Sequence, residues 1–250
     1  MDRPILTGLV STGKKRHTFS LEVESRYTVL TAEEIITELN QHANAQAVEG
    51  MARFGIRSAY ALGISLPTLR KMAKEIGRNH SLSFELWRSG IHEARILASL
   101  IDEPQLVFPQ QMEEWVSDFD SWDVCDQVCG NLFDKTPYAY EKASEWCHRE
   151  QEFVRRAGFV MMAELAVHDK KAPDEAFELF FPLIKQYAGD ERNFVKKAVN
   201  WALRQIGKRN SHLHALAVKW AEAISKMDSK TAQWVAKDAL RELNAKSPTT

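Results

Sequence analysis

"FVRRAGFVMMAEL", Phe153 to Leu165, aligns residue for residue with "FVKKAVNWALRQI", Phe194 to Ile206, at a separation of 41. "KDALREL" from Lys237 repeats the pattern of "NWALRQI" from Asn200 at a separation of 37. "IHEARILASLIDEP" from Ile91 reads as an earlier, more divergent copy. Each segment repeats its apolar residues at helical spacing, and a helical unit recurring near every 40 residues cannot bury its apolar face alone. Stacking the units gives them one continuous core, so the pattern predicts an all-α chain of antiparallel helix pairs, an α-solenoid with one curved face free for binding.

The remaining sequence agrees with that reading. Glycines and prolines fall between periodic apolar stretches, and no alternating β-branched run suggests a sheet. Thr31 is placed to cap a first helix over "AEEIITEL", and Ser65 to cap another with Pro67 in its first turn. Residues 1–30 lack helical periodicity and are expected to form a poorly ordered arm, followed by a single domain of HEAT-like repeats over 31–245; the terminal "NAKSPTT" is expected to fray. The 250 residues are 44% hydrophobic and 27% charged, enough for a sizeable core. The three cysteines, Cys125, Cys129 and Cys147, are too few for a disulfide framework and read as small buried hydrophobes in a reducing compartment. With no signal-like N-terminus and no apolar run of membrane-spanning length, a cytoplasmic protein is expected, with no membrane partner.

Several chemistries find no support. "GLVSTGKK" from Gly8 departs from a phosphate-binding loop at Lys15 and follows no strand. No HExxH pattern is present, Cys125 and Cys129 lack a companion pair, and no GxSxG elbow occurs, so neither a metal site nor a cofactor is expected.

Net charge is −1, but it is unevenly distributed. Between Arg192 and Arg209 stand Arg192, Lys196, Lys197, Arg204, Lys208 and Arg209 with no acid among them. On a helical wheel Lys197, Trp201, Arg204 and Lys208 fall in one stripe, opposite Phe194, Val195, Ala198, Val199, Ala202, Leu203 and Ile206. Such a stripe is either a solvated edge of the core or a nucleic-acid surface, in which cations meet phosphates and the ring packs on a sugar or base. In "DSWDVCDQVCGNLF" from Asp120, Trp122 and Asp126 lie one turn apart, roughly 40° around the axis. Val124, Cys125, Val128, Cys129 and Leu132 form the buried arc of that helix. Asp123, Gln127, Asn131 and Asp134 form its solvent arc, and Trp122, Asp126 and Phe133 its border. A carboxylate beside an apolar face needs a partner. Arg156, inside an otherwise apolar helix, is the candidate.

The stretches "MARFGIRSAYALGISLPTLRK", "DSWDVCDQ", "FVRRAGFVMMAEL" and "FVKKAVNWALRQIGKRN", in this order, resemble the DNA alkylation repair enzyme family, the AlkD-like HEAT-repeat DNA glycosylases, over roughly Thr31 to Leu243. The resemblance implies a right-handed superhelix with a concave DNA-binding face. It also implies hydrolysis of the N-glycosidic bond of cationic N3- or N7-alkylated purines in double-stranded DNA; separately, a monomer is expected. It assigns the catalytic aspartate to Asp126, the lesion-flanking tryptophans to Trp122 and Trp201, a DNA contact near the lesion to Arg156 and packing against DNA to Phe54; the stripe cations Lys197, Arg204 and Lys208 are then expected to grip the phosphates. Phe54 stands where the family carries a tyrosine, keeping the ring without the hydroxyl. The Arg156 to Trp201 interval is longer than in the family's best-known type, which implies a distinct subfamily. Two alternatives stay open: a non-catalytic HEAT-repeat protein that binds damaged or branched DNA, and a protein-binding scaffold.

Overall fold

The computed structural model describes residues 31–56 and 58–245. The expected N-terminal arm, with "GLVSTGKK", lies outside the described residues, as does the end of the C-terminal tail.

The described chain is helical and contains no strand: α1 (Ala32–Gln41), α2 (Ala45–Arg53), α3 (Leu66–Ile76), α4 (His80–Arg88), α5 (His92–Ile101), α6 (Pro109–Ser117), α7 (Trp122–Asn131), α8 (Ala139–Trp146), α9 (Glu152–His168), α10 (Asp174–Glu178), α11 (Phe180–Tyr187), α12 (Asn193–Gly207), α13 (Ser211–Ser225) and α14 (Lys230–Ala245). Thr31 caps α1 in a reciprocal arrangement with Glu34, and Ser65 caps α3 with proline in its first turn, both as the sequence predicts.

The helices form two layers. In one, α3, α5, α7, α9, α12 and α14 pack in series, each on the next. The segments that repeat in sequence fall on α5, α9, α12 and α14, so the repeat is the inner row of the stack. The other layer backs this row, with α4 on α5, α8 on α9 and α13 on α14. Within it an aromatic ladder runs from Trp87 to Trp115 at 4.1 Å between ring centroids, then to Phe133 at 6.2 Å and Trp146 at 5.7 Å. The buried indole N–H of Trp146 donates to Glu113 at 2.8 Å, which removes the cost of an unmet donor. Close packing of α8 on α9 depends on Gly158, where a Cβ would lie 2.5 Å from the Cys147 backbone nitrogen.

One sequence expectation is corrected. Helix α7 ends at Asn131, and the chain turns into a short 3-10 segment, Phe133–Lys135. That turn carries Phe133 and Asp134 inward: both are buried rather than on the border and solvent arc. Asp123 also leaves the solvent arc, because its carboxylate accepts from the buried His92 at 2.8 Å.

Candidate active site

The inner helices run side by side, so the first turns of α5, α7, α9 and α12 come together at one edge of the row. Trp122 opens α7 and Asp126 follows one turn later, facing the Arg156 of α9. Arg156 grips that carboxylate at two points, Nε to Oδ1 at 2.9 Å and Nη2 to Oδ2 at 2.8 Å. Its remaining nitrogen, Nη1, donates to the carbonyl of Phe194 at 2.5 Å. A planar guanidinium satisfied on both edges is fixed in orientation, and it fixes the carboxylate in turn. Burial pushes the Asp126 carboxyl above the usual carboxylate range, while the Arg156 charge and hydrogen bonds pull it down and Asp123 adds to the upward push. For Arg156, burial works against the charge, yet Asp126 leaves its pKa raised. The Asp126 side chain keeps 16% of its surface exposed, and both carboxylate oxygens face Arg156.

Beside this pair opens a cleft of about 250 Å³ lined by Phe54, Trp122, Arg156, Phe194 and Lys197. The turn after α2 forms its roof. The Trp122 indole N–H donates to the Phe54 carbonyl at 3.0 Å, while Phe54 is 72% exposed. Gly55 follows at φ +83°, and a Cβ there would lie 2.8 Å from Phe194 Cζ, so both backbone shape and space require glycine. The Phe194 ring is held from the other side by Phe153, 5.5 Å away between centroids.

The structure thus brings together Phe54, Trp122, Asp126, Arg156 and Lys197. Trp201 lies one turn beyond Lys197 on α12, half-buried against the core and outside the cleft lining. Arg204 and Lys208, further along the stripe, both pair with Glu242 of α14. Phe194 is the cleft residue that the wheel places in the core half; its position in the first turn of α12, three residues before Lys197, is the signal that marks it.

Buried polar contacts behind the cleft hold this edge in place. His92 holds Asp123, next to Trp122, and burial opposing its charge is outweighed by Asp123, so the imidazole pKa is raised. Burial likewise opposes the Asp123 charge, but His92 brings that carboxyl below its ordinary value. The neighbouring Glu93 accepts from the backbone nitrogens of Leu62, Gly63 and Ile64 at 2.8, 2.6 and 3.2 Å, which fastens the segment after the cleft roof to α5.

At the opposite end of α9, Asp134, Glu164 and His168 place ligand atoms within 4.8 Å of one another, an arrangement that can hold a metal ion. Lys135 and His168 already pair with the two Asp134 oxygens. Burial, with Asp134 and Asp126 nearby, pushes the Glu164 carboxyl up to about 7.

A family model for the DNA alkylation repair enzymes matches residues 35–243. Among curated proteins, the chain is 22% identical to an uncharacterized protein of Listeria innocua serovar 6a over 203 residues, covering 80% of this chain and 88% of that one. An uncharacterized protein of Listeria monocytogenes serovar 1/2a is 21% identical over the same shares. A solved structure from a new family of proteins related to the HEAT-like repeat DNA glycosylases, with affinity for branched DNA structures, superposes with a TM-score of 0.70. The match is at 19% identity and covers 88% of this chain and 99% of the other, so the fold is the HEAT-like one expected from the repeats. With a family match that runs from α1 to the last turns of α14, this chain belongs to the DNA alkylation repair enzyme family.

Proposed function

We propose that this protein is a DNA glycosylase that hydrolyses the N-glycosidic bond of cationic N3- or N7-alkylated purines in duplex DNA. The observation that carries the reading is the Asp126 carboxylate, held at two points by Arg156 at the margin of a cleft lined by aromatic rings and one lysine. An alkylated purine leaves as a neutral base, taking the electrons of the C1′–N bond, so no acid is needed to protonate it. Positive charge then develops on the sugar. A fixed carboxylate stabilises that charge and orients the water whose oxygen bonds to C1′ and which gives up a proton. The ring face of Trp122 offers cation–π stabilisation to the lesion or sugar, and the exposed Phe54 ring packs on the nucleotide. Lys197, exposed and without an ion pair among the described residues, meets a backbone phosphate.

The test is release of free 7-methylguanine from an alkylated duplex. The expected result is release by the native protein that falls about 10²-fold or more in Asp126→Asn, the size of loss typical for a fixed electrostatic group, while duplex binding persists. No release by the native protein overturns the reading.

A second reading is favoured by one feature. Both Asp126 oxygens accept from Arg156, and the protein with the similar fold has affinity for branched DNA structures. In that reading the cleft grips DNA and performs no hydrolysis. It expects no base release and tighter binding to a four-way junction than to a linear duplex of equal length.

A further inference from the structure

The stripe on α12 that begins at the cleft does not end in free cations. Arg204 and Lys208 converge on the two oxygens of Glu242, Arg204 on Oε2 and Lys208 on Oε1. We propose that Arg204 and Lys208 form a phosphodiester-binding site that Glu242 fills in the free protein, and that a DNA backbone phosphate displaces the carboxylate on binding. The inference rests on the DNA-binding part of the reading above, and not on the hydrolysis.

Four features carry it. Lys197 lines the cleft, and Arg204 and Lys208 lie on the same helix face about 10 and 16 Å further along the axis at 1.5 Å per residue. At 3.4 Å of rise per phosphate on one strand, that interval matches about three to five nucleotides from the lesion. Second, the register of α14 fixes Glu242 in place. Leu243 packs onto Gly207, where a Cβ would lie 2.7 Å from Leu243 Cδ2, and this seats the preceding residue opposite both cations. Third, the cluster lies at the surface, with side chains of Arg204, Lys208 and Glu242 exposed by 24, 29 and 22%, so an incoming anion reaches it. The Arg204 Nε is buried without an acceptor, a donor that the carboxylate leaves unmet. Fourth, the charges balance: carboxylate and phosphodiester each carry one negative charge, so exchange preserves the pairing of both cations. Lys208 and Arg204 hold the Glu242 carboxyl down to about 2, which keeps it charged at any pH where DNA is bound.

The surrogate makes DNA compete for the distal half of the stripe. Glu242 therefore lowers affinity for an undamaged backbone and leaves Lys197 and the cleft as the first contacts.

The experiment measures binding of an undamaged duplex as a function of salt for the native protein, Glu242→Gln and Glu178→Gln. Glu178 pairs with His212 on α13, so its substitution controls for the same unit change in net charge. Glu242→Gln is expected to bind about fivefold tighter than the native protein, the scale of one exposed ion pair removed from competition. Because the same phosphates are bound once the carboxylate is displaced, its log–log salt slope is expected to stay within about 0.9, one phosphate contact, of the native slope, while Glu178→Gln stays near the native affinity. Adding Lys208→Gln is expected to cancel most of the gain in the Glu242→Gln protein and to change the native protein little. A Glu242→Gln protein that binds no tighter than Glu178→Gln overturns the proposal, and a loss of affinity identifies Glu242 as a structural brace instead. These outcomes leave the glycosylase reading untouched, since base release is not measured. Failure of every protein to bind duplex overturns both.

Discussion

Asp126 and Arg156 hold each other so closely that neither moves independently, and the residues around them are fixed by similarly narrow constraints. Gly55 is the clearest. Its φ of +83° and the Phe194 ring against it leave no room for a side chain. Gly55→Ala is expected to cost about 1–2 kcal/mol from the left-handed backbone alone, and to lower the melting temperature in thermal unfolding. Much of this neighbourhood is legible in the sequence, because Trp122 and Asp126 share a face through helical spacing and an arginine among apolar residues demands a carboxylate. Phe194 is not legible in the same way. A wheel ranks residues against their own helix, whereas Phe194 is exposed to the cleft by a turn arriving from α2. Asp134 fails for a related reason: the wheel extends past Asn131, where the helix has already ended and the turn points the carboxylate inward.

Among the elements, α5 braces the site although it contributes nothing to the cleft lining. Its first turn holds α7 through His92 and Asp123, and the segment after the cleft roof through Glu93. The pair has a defined pH window. His92 has a folded pKa above its ordinary 6.5, so its contribution is fully present below 6.5 and is lost as pH rises through the folded value. Asp123 has a folded pKa below its ordinary 3.8, so its contribution is present above 3.8 and is lost as pH falls through the folded value. Together they stabilise α7 most between about pH 4 and 6.5. The expected outcome is that His92→Asn lowers the melting temperature more at pH 5.5 than at pH 8.5; equal losses would mean that the pair is not charged in the folded protein. The helix starts at Thr31 and Ser65 are legible because capping is local chemistry. The His92–Asp123 tie joins residues 31 apart in sequence and depends on the stacking of two units, which no local pattern encodes.

For the whole molecule, the repeat is the most legible feature, since it marks the inner row before any helix is placed. What the charge pattern leaves open is which cations remain available to a partner. Of the stripe residues, Lys197 is exposed and unpaired among the described residues, while Arg204 and Lys208 face Glu242. Lys197→Ala is therefore expected to reduce the log–log salt slope of duplex binding by about 0.9, one phosphate contact, and an unchanged slope would remove it from the interface. The roof of the cleft has a further consequence for cooperativity. In an ideal solenoid each unit touches only its neighbours, and stability is a sum of adjacent terms. Here the turn after α2 bonds to Trp122 on α7 and packs against Phe194 on α12, which joins the first unit to distant ones and converts an open chain of contacts into a closed circuit. The N-terminal pair is then no detachable end cap: its loss removes a long-range coupling as well as a nearest-neighbour one, and the units that meet at the cleft melt together.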